Sequence, residues 1–92
     1  MIGSLKCECH IHDAHSLKEK RSVVKKVIQR LKQQFNVAVA ETDFHELWQR
    51  FEIGIVTISK DKQMVEKELQ QVMKYLDRFD EFEITNYETE IL

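Results

Sequence analysis

The sequence of 92 residues predicts an α+β domain whose chain runs strand, helix, strand, strand, helix, strand. Three observations carry that reading. Apolar and polar residues alternate along 2–12, the period of a strand with one buried face. Two stretches, opening at Ser16 and near Asp61, repeat apolar residues every three or four positions, as amphipathic helices do. A β-branched run from Phe51 to Ile58 lies between them.

In the first strand Leu5, Cys7, Cys9 and Ile11 share a face opposite Ser4, Lys6, Glu8, His10 and His12. Ser16 followed three residues later by Glu19 is a capping box and opens the first helix. Leu17, Val24, Val27, Ile28, Leu31 and Phe35 form its apolar stripe, and Asn36 is expected to end it in a left-handed cap. Val37 to Glu41 reads as a second strand. Residues 42–49 read as a polar loop held by an aromatic anchor, Trp48. Phe51 to Ile58 is the third strand, with Ile53, Ile55 and Thr57 on one side and Gly54, Val56 and Ile58 on the other. Ser59 or Asp61 caps a second helix striped by Val65, Leu69, Val72, Leu76 and Phe79, and Phe82 to Leu92 is the last strand.

Right-handed crossovers place both helices on one sheet face. The result is a ferredoxin-like βαββαβ sandwich spanning 1–92, with a four-stranded antiparallel sheet in the order 4-1-3-2. The central strands, one and three, are expected to run parallel to each other. Their carboxyl ends and both helix amino ends would then share one rim. One core is expected to hold Leu5, Cys9, Val24, Ile28, Leu31, Ile53, Ile55, Val65, Leu69, Val72 and Leu76.

Fourteen basic and sixteen acidic residues give a formal net charge of −2, so the whole chain is not a polycation. The charge is unevenly placed. Residues 16–35 hold Lys18, Lys20, Arg21, Lys25, Lys26, Arg30 and Lys32 against Glu19 alone. Residues 77–92 hold Asp77, Asp80, Glu81, Glu83, Glu88 and Glu90 against Arg78 alone. No apolar run reaches the length of a membrane span, and no signal-peptide layout is evident. Cys7 and Cys9 stand too far apart along a strand for a bridge, which predicts reduced thiols and a cytoplasmic setting without membrane partners.

His15-Ser16-Leu17-Lys18-Glu19-Lys20-Arg21 resembles the hallmark segment of the YlxP-like family of small bacterial proteins of unknown function. Leu47-Trp48-Gln49-Arg50 followed by Ile53-Gly54 resembles its second motif, and Tyr87 to Leu92 its C-terminus. His12 stands where proline is expected in many relatives. The resemblance implies the ferredoxin-like fold and supplies no activity. Genes of the family often neighbour translation and ribosome-maturation genes, which implies ribosomal RNA or a ribosomal subunit as partner.

Four constellations bear on function. His10-x-His12 with Glu8 on the same face has a chelating spacing, but the cysteines face away and too few ligands converge, so no metal is expected. His15, Ser16, Lys20 and Arg21 at the start of the first helix can hold an anion such as phosphate, with Lys20 and Arg21 snorkelling to the rim. Lys18, Lys25 and Lys32 are seven apart with Arg21 beside them, a flank that can follow a phosphate backbone. Val56 and Ile58 give the third strand a second apolar face, which predicts a homodimer. No nucleophile turn, glycine-rich phosphate loop or carboxylate pair supports catalysis, and two cysteines cannot hold an ordinary iron–sulfur cluster, so no cofactor is expected. The leading expectation is a non-catalytic RNA- or ribosome-associated module. The alternatives are a homo-oligomeric protein-interaction domain and an anion-binding or enzymatic rim at His15, Lys20 and Arg21.

Overall fold

Every second residue of the first strand is buried, and that alternation sets the architecture seen in a computed structural model describing residues 1–92. The elements are β1 (Ile2–His10), α1 (Leu17–Gln34), β2 (Val37–Asp43), β3 (Arg50–Ile58), α2 (Lys62–Leu76) and β4 (Glu83–Ile91). They form the ferredoxin-like sandwich, with one sheet in the order β2-β3-β1-β4 and every pairing antiparallel. The order is 4-1-3-2 read from the other edge.

The two central strands do not run parallel, contrary to the sequence expectation. β1 and β3 are antiparallel, with Ile2 opposite Ile58 and His10 opposite Arg50. A crossover brings β2 back in the direction of β1, and the β2–β3 hairpin then reverses β3. The helix starts therefore lie at opposite rims. α1 begins beyond the end of β1, whereas α2 begins beyond Ile58, where Ser59 N–H donates to the Met1 carbonyl.

α1 is capped as its sequence demands: Glu19 N–H donates to Ser16 Oγ at 3.1 Å. The Glu19 carboxylate accepts from the His15 N–H at 2.6 Å, one residue before the expected donor. The helix ends at Phe35 in extended backbone, and Asn36 is not left-handed. Asp61 caps α2 by accepting from Met64 N–H at 2.9 Å. Phe79 falls beyond the end of α2 and stacks on Phe82.

One core of 17 residues joins the inward sides of β1 and β3 to Val24, Val27 and Leu31 of α1 and Val65, Leu69, Val72 and Leu76 of α2. Ile28 packs at its margin, partly buried. Gly3 lets α2 close on the sheet, since a Cβ there would stand 2.3 Å from Val65 Cγ1. Cys7 and Cys9 are free and buried. Burial pushes the Cys7 thiol up to about 12, with Asp77 adding to the shift. Burial pushes the Cys9 thiol up as well, with smaller contributions from Cys7 and Glu8.

Two bulges shape the rim near the start of α1. In β2 the register shifts between Glu41 and Asp43. In β4 Asn86 faces Glu8 and Ile84 faces Cys9, so Thr85 is the extra residue. That insertion reverses the parity of β4. Ile84 and Phe82 turn toward the core, while Glu83 lands opposite His10 on the open face.

Candidate functional site

The rim beyond the ends of β1 and β2 is organised around Lys20. It projects from the first turn of α1 on the side facing the sheet, and it is fully buried. Glu41 faces the same side, because it pairs with Ile53. Lys20 Nζ donates to Glu41 Oε2 at 3.1 Å and to the carbonyls of Phe44 and His45 at 2.8 and 3.0 Å, with Arg50 O at 3.5 Å. These bonds replace the water that a buried ammonium loses. Lys20 therefore pins the β2–β3 loop from beneath. Its head reaches the rim but is covered there, which corrects the picture of a side chain snorkelling outward to an anion.

The pinned loop holds a strained residue. Phe44 has a φ of 62°, in the left-handed region that a bulky side chain rarely adopts. Asp43 accepts from its N–H at 2.7 Å, its carbonyl accepts from Lys20, and the Arg50 guanidinium lies 4.0 Å above its ring. Ile11 N–H donates to the Gln49 carbonyl at 2.8 Å, which ties the far end of the loop to β1.

Trp48 is not an anchor. It is 52% exposed and Leu47 46%, and both line an open cleft of about 590 Å3 with His10, Glu46, Gln49 and Arg50. The motif Leu47-Trp48-Gln49-Arg50 is thus a surface feature held out by the Lys20 pin. Sequence reading missed it, because a lone tryptophan in a polar loop is ordinarily its buried anchor.

His15 and Arg21 are exposed and Ser16 is half-buried by the cap. The Glu19 carboxylate already lies at the helix start, so a negative group occupies part of the space expected for an anion. Lys18, Arg21, Lys25 and Lys32 are all exposed on one flank of α1, and none enters an ion pair. Lys26, on the neighbouring face, does pair with Glu81, and Lys26 and Arg30 lie near the Phe79 ring.

The open face of the sheet is divided. Ile2, Val56 and Ile58 are exposed beside Ala38 and Ala40, whereas the other half carries Lys6, Glu8, Glu52, Glu88 and Glu90. Glu8 is held by Arg50 at 3.0 Å. His10 and His12 meet edge to face, with ring centroids 4.5 Å apart. No helix is long and apolar enough to cross a membrane.

The sequence profile described as "Protein of unknown function (DUF503)" matches residues 2–89. The chain belongs to the DUF503 family. It is also similar to "Uncharacterized protein YlxP" of Bacillus subtilis (strain 168), with 46% identity over 90 residues covering 98% of each chain. The match takes in β1 to α2 and most of β4, so the capped start of α1, the pinned loop and the bulge in β4 all lie in the part of the chain that carries the family likeness.

Proposed function

We propose that this DUF503 protein is a non-catalytic module that docks on folded RNA, most simply ribosomal RNA within a subunit, through the exposed flank of α1. The carrying observation is that Lys18, Arg21, Lys25 and Lys32 share one flank with no acidic partner on the chain. A rise of 1.5 Å per residue spreads them over about 21 Å, a length that spans several phosphates. The net charge of −2 favours a shaped target over random RNA, because the rest of the surface repels phosphate.

The test is recovery of ribosomal subunits by the purified protein at low and high salt, beside a variant with glutamate at all four positions. Recovery by the wild type at low salt only, and by the variant at neither, is expected. Equal recovery by both proteins, or none by either, removes the basic flank from the account.

A second reading rests on the open face. Val56 and Ile58 are 44% and 60% exposed on a sheet that lacks a second layer there. That strip suits self-association as a homodimer. It leaves the α1 flank free, so the two readings are compatible.

A further inference from the structure

The bulge at Thr85 brings a carboxylate to the paired histidines at the end of β1. Strict alternation along β4 would keep Glu83 on the same side as Tyr87 and Thr89, toward the helices. The extra residue turns it to the open face opposite His10. His12 follows two residues later on the same side, and its Nε2 lies 3.5 Å from Glu83 Oε1. One ligand atom from each of His10, His12 and Glu83 lies within 4.8 Å of the others. Glu8 is not part of the set, because Arg50 holds its carboxylate.

The geometry points to a divalent transition-metal site formed by His10, His12 and Glu83, with zinc as its natural occupant. Two imidazoles and a carboxylate are a borderline-soft set that suits zinc over magnesium or calcium, whose preferred ligands are all oxygens. Ligands about 2.0–2.1 Å from a tetrahedral zinc stand about 3.3 Å apart. The His12–Glu83 pair is already near that spacing, and side-chain rotation by about 1.5 Å at most completes the set. All three side chains are exposed or half-exposed, so nothing packed must move. Three protein ligands leave a fourth position for water or an anionic ligand. His10 also lines the cleft of Trp48 and Arg50, so the metal would sit at that cleft's edge. The buried thiols on the opposite face take no part.

The full chain, free of affinity tags, is titrated with zinc by calorimetry. One saturable site per chain is expected. His10→Asn, His12→Asn and Glu83→Gln should each weaken it about tenfold or more. Glu8→Gln and His15→Asn should leave it unchanged, and circular dichroism checks that every variant is folded. Cobalt in place of zinc should give visible bands without thiolate charge transfer, and His12→Asn should lose them. No saturable binding below roughly 1 mM zinc, or equal affinity across wild type and the three ligand variants, overturns the site. So does a loss of affinity in His15→Asn matching that of the ligand variants.

Discussion

At the scale of single residues, Lys20 shows how the rim is held. Its ammonium sits under Phe44 and His45 and against Glu41, with no exposed surface. Lys20→Met keeps the stem's volume but leaves Glu41 and the loop carbonyls without their donor. A loss of about 2–4 kcal/mol is expected in urea unfolding, with faster amide exchange in residues 44–50. An unchanged midpoint would contradict the pin. The cysteines make a second prediction. Their folded thiols are held neutral, whereas thiols in the unfolded chain ionise near the ordinary value of 9.0. Stability is therefore full below pH 9 and falls as pH rises above it, because the unfolded state then loses protons that the folded state keeps. The slope from each thiol approaches about 1.4 kcal/mol per pH unit. A Cys7→Ala, Cys9→Ala variant should be less stable at pH 7 yet flatter between pH 9 and 11 in urea melts. Little of this rim was legible in the sequence. Lys20 finds its partners 21–30 residues away, and no local pattern announces them. The exposure of Trp48 likewise depends on a loop conformation set by that distant lysine.

At the scale of elements, periodicity was a better guide. Alternation in β1, the stripes of α1 and α2 and the caps at Ser16 and Asp61 all report local geometry, so local sequence reveals them. Leu31 and Val72 are fully buried in the shared core, and either changed to alanine should cost about 2–5 kcal/mol in chemical unfolding. A cost below 1 kcal/mol would mean that the helices do not close on the sheet as described. Direction and parity were harder to read. The relative sense of β1 and β3 follows from the connection path, not from either strand's own residues. The β4 bulge did leave a trace. Tyr87 and Ile91 occupy odd positions on the helix side, while Ile84 and Phe82 are even, and such a switch is what one inserted residue produces. Reading that switch would have placed Glu83 beside His10.

At the scale of the whole molecule, charge and apolar surface are segregated. The α1 flank is basic, one half of the open sheet face is charged and the other half is apolar. If the apolar half joins two copies, sedimentation equilibrium should give twice the monomer mass, and Val56→Glu should return it to one. A monomer at high concentration in the wild type would leave that face without a self-partner. The RNA reading rests on α1 alone and is open to a direct number. Each phosphate neutralised releases counterions, so the logarithm of the binding constant falls linearly with the logarithm of salt concentration. The decisive measurement is that slope for isolated ribosomal subunits, in the wild type and in Lys18→Gln, Arg21→Gln, Lys25→Gln and Lys32→Gln taken singly. A wild-type slope of about −3 is expected, reduced in magnitude by about 1 in each variant. Binding whose slope is the same in all five proteins would contradict it.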